Sequence, residues 1–149
     1  MSKENETQVG GSHYQSEFQH WDYAAACFGE GFFKGSATKY ISRWRRKGGV
    51  QDLEKAGHYM RKLRELYDSG DIKLTVGQAA EGLPQFQSKN GLTDAEYGAM
   101  YAVTTANTNM GLLTAILLID HLIALAREAE RPKVAAFEEV KVTPPRSKR

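Results

Sequence analysis

Two adjacent glycines, Gly48 and Gly49, interrupt a stretch from Gly31 to Tyr67 in which apolar residues recur at helical spacing on both sides. Before the break, Phe33, Ala37, Tyr40, Ile41 and Trp44 fall at intervals of three and four and share one helix face. After it, Leu53, Ala56, Met60, Leu63 and Tyr67 do the same, until Asp68-Ser69-Gly70 ends the pattern. Two amphipathic helices joined by so short a turn bury their stripes by packing antiparallel. The expected fold is therefore all-α, a small helical domain built on an antiparallel helix hairpin.

The same stretch holds most of the positive charge. Ten Lys/Arg lie between Lys34 and Arg64 against two acids, Asp52 and Glu54, a local charge of +8. The whole chain carries +2, so the remainder carries −6. A concentrated excess of this kind points to an anionic ligand rather than to a uniformly basic protein. Lys39, Arg43 and Arg46 recur along one face of the first helix. Arg45 and Lys47 extend the charge at its C-terminal end, where cations suit the helix dipole. Lys39 and Arg43 lie too far up the helix for that explanation. On the second helix, Asp52 falls in the first turn, where a carboxylate is favoured. Gln51, Lys55, His58 and Lys62 lie off its apolar stripe. Antiparallel packing would bring Lys39, Arg43 and Lys55 together. The plain alternative is a solvated basic face on a structural hairpin.

Ser12-His13-Tyr14, then Lys39-Tyr40 with Arg43, then Asp52-Leu53, Lys55-Ala56 and Tyr59 form the pattern S-H-Y, K-Y-x-x-R, D-L-x-K-A-x-x-Y. In these motifs the chain, from Val9 to Tyr67, resembles a small phage domain family that includes the nucleotide kinase of podoviral coliphages. The resemblance implies a helical nucleotide-binding domain, phosphorylation of deoxynucleoside monophosphates without a P-loop, and a large homo-oligomer. In a nucleotide enzyme of this kind, Lys39, Arg43 and Lys55, with Arg46 or Lys47, are expected to hold phosphates, while Tyr14, Tyr40 or Tyr59 stacks on or orients the base. His13 and Tyr14 would contact base or phosphate; alternatively Tyr14 anchors the N-terminal arm and His13 is solvated. The cysteine-rich N-terminal extension of that kinase has no counterpart here.

The rest of the chain divides as follows. Residues 1–8 read as a disordered lead, 9–68 as the kinase-like helical domain, 69–91 as a connecting loop, 92–130 as a helical segment and 131–149 as a mobile basic tail. Glu17 to Phe28 holds a short helix with Trp21, Ala25 and Phe28 on one side. Glu30 is expected as a first-turn helix acid. Cys27, the single cysteine, sits in an apolar run and is expected to be buried; one cysteine excludes an intramolecular disulfide framework. Gly82 and Pro84 punctuate the connecting loop, and Ile72, Leu74 and Val76 alternate like a short strand. Thr93 to Glu96 is a capping box that starts a helix. Thr104 to Asn109 has poor helix formers and marks a break. From Met110 to Ala126 the chain is apolar nearly all round, which requires burial, most economically at a homo-oligomer interface. It is short for a membrane span, and Asp120-His121 interrupts it, so no membrane contact is expected. The polar opening of the chain lacks a signal-peptide pattern, so a cytoplasmic location is expected, and the phage resemblance implies the host cytoplasm.

Several chemistries lack their motifs: the sequence has no GxxxxGK[ST], HExxH or paired CxxC. His13, His20, His58 and His121 have no metal-ligand spacing. No ExxE pair supplies the carboxylates a helical pyrophosphohydrolase needs for magnesium. Magnesium is expected only as a companion of nucleotide. Three functions are consistent with the cations: a nucleoside monophosphate kinase, a protein that sequesters nucleotides without turnover, and an accessory protein that binds nucleic acid through the WRRK helix and the tail.

Overall fold

The computed structural model describes residues 2–7, 9 and 18–132. Among them seven helices form: α1 (Lys3–Glu6), α2 (His20–Phe28), α3 (Glu30–Arg43), α4 (Val50–Asp68), α5 (Leu83–Asn90), α6 (Asp94–Thr105) and α7 (Asn109–Glu130). No strand occurs among the described residues, so Ile72, Leu74 and Val76 lie in a connection. The all-α expectation holds.

The four long helices pack in a ring: α3 on α4, α4 on α7, α7 on α6 and α6 on α3. The hairpin stripes face inward. Phe33, Ala37 and Ile41 of α3 and Leu53, Ala56, Met60 and Leu63 of α4 are fully buried. Val103, Leu112, Ala115 and Ile119 from α6 and α7 close the other side. The C-terminal helices thus share one core with the hairpin.

Two glycines shape the turn between α3 and α4. Gly49 adopts φ of 61° and ψ of −150°, a positive-φ conformation that costs a glycine least. Gly48 donates its N–H to Asp52 at 3.1 Å. A Cβ at Gly48 would stand 2.2 Å from the Asp52 carboxyl carbon, so only glycine allows that approach.

Several expectations are corrected. The lead contains α1, whose N-cap Ser2 accepts a hydrogen bond from the Asn5 N–H. It docks on α4 because the Glu4 N–H reaches the Glu65 carboxylate at 3.1 Å. The connecting segment contains α5: Pro84 sits in its first turn, and Gly91 follows it in the left-handed conformation. Proline at the start and glycine past the end are helix boundary signals, so residues read as loop punctuation frame a helix. Cys27 is exposed, whereas Trp21 and Ala24 are the buried residues of α2. Phe28, expected beside Trp21, is 65% exposed.

The Thr93 capping box forms: its side chain accepts the Glu96 N–H, and Glu96 accepts the Thr93 N–H. The expected break separates α6 from α7, and Thr108 caps α7 by accepting the Gly111 N–H at 3.0 Å. Helix α7 is long and apolar enough, by length and composition, to cross a membrane. It is not buried all round: its inner face lies on α4 and α6, while Met110, Leu117 and Leu125 are exposed.

Candidate anion-binding site on the helix hairpin

The K-Y-x-x-R spacing places Lys39, Tyr40 and Arg43 within one turn near the end of α3. Asp52, Lys55 and Tyr59 project from the first turns of α4, which the Gly48-Gly49 turn folds back alongside. Lys39, Arg43, Lys55 and Tyr59 meet at the Tyr40 ring, and Asp52 reaches it only through Arg43. Lys39 Nζ lies 4.8 Å from the ring centroid, the Arg43 guanidinium carbon 4.7 Å and Lys55 Nζ 5.8 Å. These are cation–π distances. Tyr40 in turn stacks on Tyr59, with centroids 5.9 Å apart and an interplanar angle of 28°. Tyr59 belongs to an aromatic wall with Phe32 at 5.7 Å and Trp21 at 6.0 Å. Tyr40 is therefore braced from behind by the core while cations crowd around it.

Asp52 fixes one of those cations. Arg43 Nε donates to Asp52 Oδ2 at 3.0 Å and Nη2 to Oδ1 at 3.3 Å. The Asp52 side chain is only 3% exposed, and it also takes the Gly48 N–H. The hydrogen bond to Asp52 raises the Arg43 pKa above its ordinary value, with the facing Asp52 charge adding to it. A fork held on one edge leaves the Nη1 hydrogens aimed elsewhere, available to an anion. With Arg43 offset by Asp52, Lys39 and Lys55 leave the cluster a net charge of +2.

The turn after α3 is clamped to α6. Glu96, 1% exposed, accepts from the Trp44 indole N–H at 2.7 Å and from Arg45 Nη2 at 2.8 Å. Trp44 is thus a half-buried clamp residue. Arg46 and Lys47 stand exposed in this turn, without a side-chain hydrogen bond or ion pair among the described residues. His13 and Tyr14 lie outside the described residues. Of the candidates named from sequence, Lys39, Tyr40, Arg43, Lys55 and Tyr59 are brought together.

Sequence reasoning missed two roles. By sequence Asp52 is a dipole partner in the first turn of its helix; in the structure it orients Arg43, and the signal is the acid nine residues after the arginine, across a two-glycine turn. Glu96 was read only as half of a capping box. Two other buried ions proved structural. Lys62, 1% exposed, binds Ser2 Oγ at 3.0 Å, Glu65 at 3.1 Å and Asp22 at 3.1 Å. Its partners have lowered pKa values. Burial alone would raise Asp22 and Glu65, but hydrogen bonds from Gln19, Lys62 and Asn5 to the first, and from Ser2, Glu4 and Lys62 to the second, outweigh it. Lys34, counted in the basic stretch, is 5% exposed. It pairs with Glu30 at 2.7 Å and donates to the Ala106 carbonyl at 2.7 Å, tying α3 to the end of α6. Glu30 is indeed in the first turn of α3, where it also accepts the Thr75 N–H. Among the described residues, no group of three or more His, Cys, Asp and Glu gathers as a metal site.

These features define a small helical domain with a braced aromatic ring ringed by cations. Residues 9–61 match the profile of a family described as a protein of unknown function, DUF3310, and this stretch spans α2, α3 and the first part of α4. A DUF3310 domain is consistent with the small phage-type family whose motifs the sequence carries. No curated protein and no solved structure matches the chain.

Proposed function

We propose that this chain is a nucleotide-binding protein whose hairpin holds phosphoryl groups between Lys39, Arg43 and Lys55. The supporting observation is the convergence of these three cations on the Tyr40 ring, with Arg43 pre-oriented by Asp52. Three cations around one ring repel one another, a cost that a bound phosphate would offset. Lysines act as point charges, and the free edge of Arg43 acts as a planar donor to phosphate oxygens. Tyr40, half-buried, is the ring on which the base would rest. Arg46 and Lys47 extend the field toward further phosphates.

Phosphoryl transfer asks a protein mainly for positioning and charge neutralisation. The cluster supplies both, so the proposal extends to a nucleoside monophosphate kinase that takes its phosphoryl group from a nucleoside triphosphate. Magnesium in that scheme is carried by the triphosphate. The alternative is sequestration of nucleotides by the same cations without turnover. Nucleic-acid binding is less well supported, because stacking by Trp44 would require releasing its indole from Glu96.

Incubation with labelled deoxynucleoside monophosphates and a panel of triphosphates separates the readings. Diphosphate product that disappears in Lys39→Ala identifies the kinase. Binding without product identifies the sequestering protein. Failure of every nucleotide to bind rejects both.

A further inference from the structure

The hairpin carries more positive charge than a nucleoside monophosphate neutralises. Three cations around Tyr40, less the Asp52 carboxylate, match the charge of about −2 on one phosphomonoester. Arg46 and Lys47 remain. Both are exposed, and neither has a side-chain hydrogen bond or ion pair among the described residues. Their place is ordered. The N–H groups of Arg46 and Lys47 donate to the Arg43 carbonyl at 2.9 and 3.1 Å, so the chain keeps a helical path beyond the end of α3. Lys47 therefore stands about one turn past Arg43, as Arg43 does past Lys39. The cations form a row that starts at Tyr40 and runs to the Gly48-Gly49 tip. On the other side of Tyr40 stands the aromatic wall of Tyr59, Phe32 and Trp21. The cation over that wall, Lys62 on the Trp21 ring, is already held by Asp22 and Glu65.

We propose that the hairpin takes the 5′-phosphorylated end of a single-stranded nucleic acid. The terminal phosphate sits among Lys39, Arg43 and Lys55. The terminal base rests on Tyr40, and the next phosphodiesters pass Lys47 and Arg46 toward the tip. The inference rests on the reading of the hairpin as a nucleotide site and names a longer ligand for it.

Three features select that ligand. First, the charge falls in the right order. A terminal phosphate carries about two charges and each internal phosphodiester one; the row offers a doubly charged cluster, then single cations. Second, cations one turn apart are separated by ~5.4 Å along the helix. The phosphates of a nucleoside triphosphate share bridging oxygens and lie closer together than that, whereas a whole sugar separates those of a strand. Third, the track begins at the wall, so a strand is held by its end rather than along its length. A duplex fits less well, because its terminal base is paired and stacked and cannot settle on the ring. Trp44 stays on Glu96 and takes no part.

The test is fluorescence anisotropy of a 3′-labelled deoxyoligonucleotide of about 12 nucleotides, carrying either a 5′-phosphate or a 5′-hydroxyl, titrated with the full chain. Calorimetry with a deoxynucleoside monophosphate runs alongside. The phosphorylated strand is expected to bind at least about tenfold more tightly than the hydroxyl strand, the effect of charge-assisted contacts to one phosphate. In Arg46→Ala/Lys47→Ala the strand should weaken by roughly tenfold or more, with the monophosphate affinity and melting temperature unchanged. The slope of log affinity against log salt should fall by about 0.7 for each cation removed. Equal binding of the two strands marks a plain polyanion surface and overturns the proposal. So does tighter binding of the matching duplex, or a double variant that weakens monophosphate and strand alike. Monophosphate binding without strand binding overturns this inference and leaves the nucleotide reading standing; failure of both overturns the two together.

Discussion

Replacing the three cations around Tyr40 one at a time should separate binding from folding. Lys39 is exposed and Lys55 half-buried, and neither holds an ion pair with an acid among the described residues. Truncating either to alanine should change folding stability by no more than about 0.5 kcal/mol, the ordinary range for a surface position. That corresponds to about 1–2 °C in Tm for a chain of this size. A charge-assisted hydrogen bond to phosphate contributes about 1.5–3 kcal/mol, so each variant should weaken nucleotide affinity by roughly 10- to 100-fold. Arg43→Ala differs in kind. It removes the cation that neutralises Asp52, whose side chain is 3% exposed and would keep only the Gly48 N–H. A buried carboxylate stripped of its partner destabilises a fold, so Arg43→Ala should melt below both lysine variants. Adding Asp52→Asn should recover part of that loss without recovering affinity. Isothermal titration gives the affinities and scanning calorimetry the melting temperatures. If Lys39→Ala and Lys55→Ala bind nucleotide like the parent, or lose stability in proportion to affinity, the cluster is a structural keystone and the reasoning fails.

The remaining predictions concern how the bundle is held. Glu96→Ala removes the acceptor for Trp44, Arg45 and the Thr93 N–H; it should cost about 2–3 kcal/mol and lower Tm by roughly 5–10 °C, while Glu81→Ala on the exposed connection should do neither. Burial lowers the His58 pKa from its ordinary 6.5, reinforced by Arg61 and Lys62 and partly opposed by Glu4. The unfolded chain then takes up a proton that the folded chain refuses, so stability should fall as pH drops from about 6.5 through the lowered folded value. Urea midpoints should show that limb, and His58→Gln should lack it. The carboxylates of Asp22, Glu30 and Glu65 have lowered values, so their contribution should be lost only further down, as pH falls from their ordinary 3.8 to 4.5 through the folded values. Cys27 should react with a thiol reagent in the native state at close to the rate seen in urea; protection by more than about tenfold would contradict its exposed placement.

The hairpin was legible because two apolar stripes of helical period flank Gly48-Gly49, and periodicity reports burial when one face is covered. The break before α7 and the Thr93 capping box were legible for a similar reason, since both are local chemistry. The convergence of Lys39, Arg43 and Lys55 followed from antiparallel packing, and motif spacing located it. What escaped depends on elements far apart in the chain. Lys62 and His58 lie off the α4 stripe, so they read as solvated. They are buried because α1 and α2 fold over that side and supply Glu4, Asp22 and the Trp21 ring. Cys27 read as buried because its neighbours are apolar, yet α2 turns Trp21 and Ala24 inward and leaves Cys27 outside. Asp52 has a local role that hid its distant one. Gly82, Pro84 and Gly91 are ambiguous signals, since the same residues break chains and bound helices.

The most direct measurement is a pair of titrations of the parent chain, one with a deoxynucleoside monophosphate and one with the matching nucleoside, at low salt and repeated at higher salt. The account predicts binding of the monophosphate that weakens as salt rises, and none of the nucleoside over the same range. Equal affinity for the two, or no binding of the monophosphate at millimolar concentration, would contradict it.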